Sequence, residues 1–311
     1  MTFAIREATP ADAPQIRRLF TRTFGAELPE AEWRWKFEQN PDGWYAIVAE
    51  DAGEIVGNYA GWGMRFLLEG RETLLYSVGD VATDRRVRGL GRAVYRGMAG
   101  AFYESIGARG VPFCFGFPNA RALAISHRLI GSRTLFPIRE VRVPVSSFPP
   151  PPAGARSGDF VDETFDTLWA SARGTIASGA VRDRARANWR FHARPTRYYR
   201  MVWLVGKGGM TSWAVLSVTG ERALVADWLA ASGAGGLPDL LAAAAAEASA
   251  LNARELVLWE TPGGPGREVI SRLPGQHVEA GFPLIVRSFD DDAARRFSEI
   301  AHLVPALYDL V

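Results

Sequence analysis

At 311 residues the chain is longer than one typical domain and points to about two. Its 48% hydrophobic and 23% charged residues are those of a soluble globular protein, and a formal net charge of +2 excludes a polyelectrolyte built for nucleic acid. The single cysteine, Cys114, excludes a disulfide framework and a Cys-based zinc site.

Taken in order, Phe3–Glu7 reads as a short strand, and Thr9-Pro-Ala-Asp-Ala-Pro opens a helix through about Phe24. Ile16, Leu19, Phe20 and Phe24 fall at helical spacing within it. A second helix, Pro29–Gln39, carries Trp33, Trp35 and Phe37 and stops at the turn signal Asn40-Pro-Asp-Gly43. Trp44–Glu50 and Glu54–Leu67 read as hairpin strands about Asp51-Ala-Gly53, and a turn at Glu69-Gly-Arg71 leads to the strand Leu74–Val81. A helix over Ala93–Tyr103, a strand over Val111–Phe117, a helix from Pro118-Asn119 to about Leu129, and closing strands over Thr134–Val145 complete this half. Cys114 lies in the apolar Val-Pro-Phe-Cys-Phe-Gly-Phe run and reads as a buried strand residue.

The stretch that organises the chain is Val81-Ala-Thr-Asp-Arg-Arg-Val-Arg-Gly-Leu-Gly91, between a strand and a helix. A loop at a helix start offers free backbone N–H groups and the positive end of the helix dipole, which suits a phosphate. Gly89 and Gly91 permit close approach of an anion, and Arg85, Arg86, Arg88 and Arg92 add charge-assisted donors. Six arginines fall between Arg71 and Arg96, a local cluster fitted to a compact polyanion. The spacing is not the Walker pattern, since no Gly-Lys-Ser/Thr follows. Nor is it the dinucleotide fingerprint, since Val94 stands where a third glycine belongs.

Arg86-Val-Arg-Gly89-Leu-Gly91 resembles the Arg/Gln-x-x-Gly-x-Gly/Ala motif of the GNAT superfamily of N-acetyltransferases, and Val81-Ala-Thr-Asp84-Arg resembles the usual approach to it, with Thr83 where proline is common. The resemblance covers residues 1 to about 147 and implies an α/β (α+β) fold. Each domain would be a mixed, mostly antiparallel sheet flanked by helices, with a central splayed parallel strand pair. It implies acetyl-CoA as co-substrate, gripped by Val81, Ala82, Arg86, Val87, Arg88, Gly89, Leu90, Gly91 and Arg92, with Asn119 contacting the pantetheine arm in the splay. No metal is expected.

Phe148-Pro-Pro-Pro-Pro-Ala-Gly154 is a stiff linker with polyproline character. Beyond it, residues 155–311 repeat the first half. Trp189-Arg-Phe191 echoes Trp33-Arg-Trp35, and Pro195 echoes Pro41. Arg200–Val205 and Ser212–Val218 echo the hairpin, Ala223–Leu229 the central strand with Asp227 near the place of Asp80, and Leu237–Leu251 the central helix. Glu255–Trp259, Arg267–Leu273 and Phe282–Ser288 complete the copy. Its loop, Ala231-Ser-Gly-Ala-Gly-Gly236, keeps glycines and has no arginine, so this copy is expected to be degenerate in coenzyme A binding. The division expected is therefore 1–147 catalytic, 148–154 linker and 155–311 degenerate copy.

Acetyl transfer requires a polarised thioester carbonyl, a neutral amine and a proton for the departing thiolate. Asp80, on the central strand at the splay, is the first candidate base; Glu27, Glu30 and Glu32 either line the acceptor site or complement the positive end of the second helix. The resemblance implies an acid tyrosine seven residues after Asn119, but Ser126 stands there with His127 beside it, and both are carried as candidates. The expected activity is N-acetyl transfer from acetyl-CoA to a small-molecule amine by direct attack in a ternary complex. Longer acyl groups, protein or peptide amines, and a non-catalytic coenzyme A-binding module are the alternatives. Expected partners exclude nucleic acid and membrane, since no apolar run reaches about 18–20 residues. A monomer or homodimer in the cytoplasm is expected, since Met1–Arg6 runs directly into polar, acidic sequence.

Overall fold

The computed structural model describes residues 3–87 and 91–308. The chain begins with β1 (Ala4–Glu7), α1 (Ala13–Phe24) and a short α2 (Glu30–Trp33) that continues as a π-turn over Arg34–Glu38. β2 (Trp44–Asp51), β3 (Glu54–Leu68), β4 (Arg71–Thr83), α3 (Gly91–Ala108), β5 (Phe113–Gly116), α4 (Ala120–Ile130) and β6 (Arg133–Pro144) follow. After the proline linker come β7 (Ala155–Gly158), α5 (Thr164–Ala172), β8 (Ser178–Ala180) and α6 (Arg184–Ala187), which again runs into a π-turn, Asn188–His192. The chain continues with β9 (Arg200–Gly206), β10 (Gly209–Thr219), β11 (Arg222–Ala230), α7 (Leu237–Ala250), β12 (Glu255–Glu260) and α8 (Arg267–Ser271). It ends in β13 (Gln276–Ser288), α9 (Asp291–Ile300) and β14 (Ala301–His302).

The chain divides into two compact units, and each takes a strand from beyond a simple cut at the linker. Unit one comprises Met1–Arg65, Thr73–Leu135 and Leu284–Ala294; unit two comprises Phe66–Glu72, Phe136–Pro283 and Arg295–Val311. In unit one the strands run β1, β2, β3, β4, β5, and then the end of β13, which pairs antiparallel with β5 through Ile285↔Gly116 to Ser288↔Phe113. In unit two β6 pairs antiparallel with β12, from Glu255↔Pro144 to Glu260↔Arg139. Thr134–Val145, expected to close the first sheet, therefore pairs within unit two as a single strand, and the strand that closes the first sheet is Leu284–Ser288.

In unit one the two faces of the sheet are covered by different helices. Asp12 starts the first face: its carboxylate accepts from the Thr9 backbone N–H (2.7 Å) and from Arg6, which ties β1 to the entry of α1. Ile16, Leu19 and Phe20 of α1 and Trp33 and Phe37 then pack on Ala46, Val48, Ala60 and Ala82. On the other face α3 lies close to β3, where a Cβ on Gly57 would fall 2.7 Å from Met98 and one on Gly61 2.9 Å from Phe102. Cys114 is buried on β5, and burial pushes its thiol well above the ordinary range.

The π-turns bear on one of the expected echoes between the halves. The two π-turns match Trp35 with Trp189, Lys36 with Arg190 and Phe37 with Phe191, the same offset as Pro41 with Pro195. The echo of Trp33-Arg-Trp35 in Trp189-Arg-Phe191 is thus a coincidence of composition, two positions out of step.

Candidate active site

The site is built where β4 stops behaving as a regular strand. Alternation should place Tyr76 and Ala82, six residues apart, on the same face of the sheet. Yet Tyr76 packs on Phe102 of α3, whereas Ala82 packs with α1 and α2 on the other face. An extra residue must lie between them, and Asp80 marks it with φ of +53°. Such a bulge leaves backbone groups outside the ladder and costs strain at a non-glycine residue. Asn58 of β3 takes up one of those groups: its Nδ2 donates to the Asp80 carbonyl at 2.7 Å.

The same point is where β4 parts from β5. Their parallel register runs Tyr76↔Cys114 and Ser77↔Phe115; β4 then continues to Thr83 while β5 ends at Gly116. Val78, Gly79, Asp80 and Val81 are half-buried there, between fully buried Ser77 and Ala82. The gap opens at the carboxyl ends of the parallel strands, where α/β folds take their ligands.

The Asp80 side chain points to the α1/α2 face and forms an ion pair with the Lys36 ammonium. Both are largely buried, with side-chain exposures of 13% and 5%. Lys36 also lies over the rings of Phe37 (5.3 Å) and Trp62 (5.5 Å), a cation–π arrangement. Asn58 Oδ1 is buried and accepts no hydrogen bond. The floor of the site is therefore a paired carboxylate and ammonium, an amide and an indole. Sequence reading found Asp80 and missed Lys36, Asn58 and Trp62. The signal for Lys36 was compositional: lysine occurs only at positions 36 and 207 among 36 Lys and Arg residues. Where a chain uses arginine almost everywhere, a lysine inside an aromatic helix marks a place wanting a compact charge of adjustable pKa.

The loop after β4 is organised by Asp84, which is buried. Its carboxylate accepts from Arg22 Nε (2.9 Å), from the Arg86 backbone N–H (2.9 Å) and from Arg86 Nη2 (2.9 Å). Burial alone would raise its pKa, but these donors, Arg86 foremost, hold the carboxyl below the usual carboxylate range. Arg86 Nη2 also reaches Glu54 at 2.8 Å. The Arg86 side chain thus braces the loop from beneath, and its N–H is already taken. Val87 is buried, Gly91 starts α3 and Arg92 is exposed on its first turn, while Arg88, Gly89 and Leu90 lie outside the described residues.

The remaining candidates separate. Asn119 caps α4, accepting from the Ala122 N–H at 3.0 Å. Ser126 is buried, whereas His127 is exposed, with Nε2 3.2 Å from Thr134 Oγ1. Glu27 and Glu30 are exposed and pair with Arg17, at 4.0 and 3.5 Å; Glu32 is buried. Among the described residues no group of three or more His, Cys, Asp and Glu side chains is placed to hold a metal ion.

Residues 4–128 match the family description "Acetyltransferase (GNAT) domain". That stretch is similar to GNAT acetyltransferase domains. Among solved structures, a conserved protein of unknown function from Enterococcus faecalis V583, a probable N-acyltransferase, is similar with a TM-score of 0.72 at 11% identity, over 94% of this chain and 74% of that one. A GCN5-related N-acetyltransferase from Anabaena variabilis is similar at 0.69 and 15%, with the same coverage. Saccharomyces cerevisiae N-myristoyltransferase with bound myristoyl-CoA is similar at 0.56 and 8%, over 91% and 82%. At such identities the likeness is one of fold, and it extends beyond the GNAT match into the second half. A comparison with curated proteins finds no match in sequence.

Unit two has a parallel strand pair of its own. β11 pairs in parallel with β12 over Arg222↔Glu255 to Leu224↔Val257, after which both strands continue unpaired with each other. Asp227 forms a buried pair with Arg182 at 2.8 Å, and Arg190, the π-turn counterpart of Lys36, donates to the Ala306 carbonyl at 3.2 Å. The end of β12 is covered by the chain itself: a Cβ on Gly263 would fall 2.8 Å from Ala301 N and one on Gly264 3.0 Å from His302 Cα. His302 packs on Trp228 with ring centres 4.4 Å apart, and burial, with Arg182 nearby, holds its imidazole well below the ordinary pKa.

Proposed function

We propose that the protein is an acyl-CoA-dependent N-acetyltransferase that moves an acetyl group from acetyl-CoA to a small-molecule amine by direct attack in a ternary complex. The observation that carries this reading is the bulge at Asp80, set at the parting of β4 and β5 and paired with Lys36. Backbone N–H groups released from the ladder along Val78–Ala82 would polarise the thioester carbonyl, and the half-buried gap would receive the pantetheine arm as an added strand. Asn119, with its oxygen engaged in the cap, keeps its Nδ2 for that arm. The loop through Arg86, Val87, Arg88, Gly89, Leu90, Gly91 and Arg92 would hold the linked phosphates. In this reading the pyrophosphate is met by the start of α3 and by Arg92, while Arg86 shapes the turn through Asp84. The myristoyl-CoA held by the yeast enzyme of similar fold supports the donor class.

Asp80 is the base in this reading. An amine nitrogen with a conjugate acid near pKa ~10 becomes strongly acidic only as it bonds to the carbonyl carbon, and a carboxylate beside it then takes the proton. Lys36 pairs with Asp80 and fixes its rotamer. Unit two acts as a degenerate copy, with Trp228 and Ala301–His302 in the space that would admit a cofactor, and it serves the first domain structurally. The test is an amine panel with acetyl-CoA, read by mass for a gain of one acetyl group. The expected result is turnover of a small amine by the wild type, lowered about 100-fold in the charge-neutral variant Lys36→Met/Asp80→Asn with acetyl-CoA affinity kept. Transfer to protein lysines alone, or binding without turnover, would overturn the reading.

A further inference from the structure

Unit two holds a small cavity that the proposed transfer does not use. Its volume is about 20 Å³, and Arg182, Arg186, Arg190, Trp213, Asp227 and Ala306 are among its walls. A space above about 10–15 Å³ is large enough for one water-sized occupant. The register of the sheet explains why these side chains converge. Val215 pairs with Asp227 and Leu216 with Val225, so Ala226 is an extra residue in β11. It turns Asp227 to the face that carries Val215 and, by alternation, Trp213. On that face the Trp213 ring meets Phe191 of the π-turn edge-on at 5.8 Å and Phe165 of α5 at 4.9 Å.

Two donors in these walls are held in place with nothing to bond. Arg182 Nε donates to Asp227 Oδ1 at 2.8 Å and Nη1 to the Ala180 carbonyl at 2.9 Å. Those two bonds fix the plane of the guanidinium, and with it the position of Nη2. Arg182 is 3% exposed and Trp213 0%. Among the described residues, neither Arg182 Nη2 nor Trp213 Nε1 meets an acceptor. Buried polar groups nearly always have a partner, so two orphans in the walls of one cavity call for a bound species.

The chemistry of the walls selects that species. Guanidinium and indole N–H groups donate and do not accept. A water that accepted from both would still need acceptors for its own two hydrogens. Asp227, the one carboxylate in the walls, already takes Arg182 Nε and the Trp228 N–H (2.8 Å) at Oδ1. Three guanidinium groups face it. An occupant that is negative and only accepts fits such a space better than water does.

We propose that this cavity binds one halide-sized anion, chloride in ordinary solution, held between Arg182 Nη2 and Trp213 Nε1. The anion gives both donors a partner. It ties β10, β11, the π-turn and the Ala306 segment to one another, and so acts as a structural ligand of unit two.

The experiment uses the full chain. Thermal unfolding is followed as sodium chloride replaces sodium gluconate at constant ionic strength, gluconate being too large for the cavity. Tm should rise with chloride, on the order of 3 °C for each tenfold increase above the Kd. Bromide should act in the same way, and crystals soaked in it should show an anomalous peak in contact with Arg182 and Trp213. Trp213→Phe removes one donor and little volume, and Arg182→Lys keeps a charge beside Asp227 without the second fork nitrogen. Each should move the chloride response about tenfold higher in concentration. Should either variant fail to fold, the wild-type crystal and salt series decide alone. Equal Tm in chloride and gluconate, water or a carboxylate of the chain in the cavity, or a response unchanged in both variants would overturn the site. A bromide peak seen only at molar concentration, with no effect on Tm, would mark an adventitious ion only and overturn it equally.

Discussion

At the scale of single residues, the site depends on a charge pair that is costly to break and cheap to remove whole. Deleting one member of a buried ion pair typically costs about 3–5 kcal/mol, whereas replacing both by uncharged groups of similar size is often close to neutral. Lys36→Met alone should therefore lower unfolding stability by a few kcal/mol, and Asp80→Asn alone likewise. The double variant should recover most of that loss. Urea denaturation of the four proteins measures the coupling, and additive losses would show that the pair is solvent-screened rather than buried. This is also the scale at which sequence reading fell short. Asp80 was visible from its place on an apolar strand. Lys36 was hidden because a lysine in a Trp- and Phe-rich helix looks like any surface charge until its neighbour, 44 positions away, is known.

At the scale of elements, local chemistry wrote most of the secondary structure. Thr9-Pro-Ala-Asp12 opens α1, Gly25 at φ +73° closes it, and the hairpin turns fall where Asp51-Ala-Gly53 and Glu69-Gly70 place them. What sequence could not give was pairing. The Asp80 bulge leaves no trace in alternation because its neighbours, Val78 to Val81, are half-buried and carry no strict pattern. The entry of α1 offers a pH test. The hydrogen bonds from Arg6, with those from Thr9, hold the Asp12 carboxyl at about pKa 2. A carboxyl whose folded pKa lies below its unfolded value of about 3.9 stabilises the fold fully above that value, and the contribution fades as pH falls toward 2. Discounted for the solvent that reaches Arg6, the contribution is about 1–2 kcal/mol. Asp12→Asn should be less stable than wild type by that amount at pH 7, and the two should converge near pH 2 in denaturant titrations. A gap that is constant from pH 7 to pH 2 would contradict the linkage.

At the scale of the whole molecule, the exchange of strands was not legible in the sequence. Both closing strands are apolar, alternating and preceded by a helix, so nothing in Thr134–Val145 or Phe282–Ser288 tells which sheet each joins. The consequence is that residues 1–147 lack the strand that covers the β5 edge, Leu284–Ser288. Expressed alone, that fragment should aggregate or fail to show a cooperative thermal transition, because Phe113–Gly116 becomes an uncovered apolar edge. A monomeric fragment with a sharp melt would show that the sheet closes in another way.

The central claim is that an acyl-CoA lies in the parting of β4 and β5 and that its counterpart in unit two is filled by the chain. Amide hydrogen–deuterium exchange of the full chain, with and without saturating acetyl-CoA, tests it most directly. The account predicts new protection over residues 78–83 and over the first turns of α3, with no change over residues 227–231. Protection absent from β4, or confined to the second unit, would contradict it.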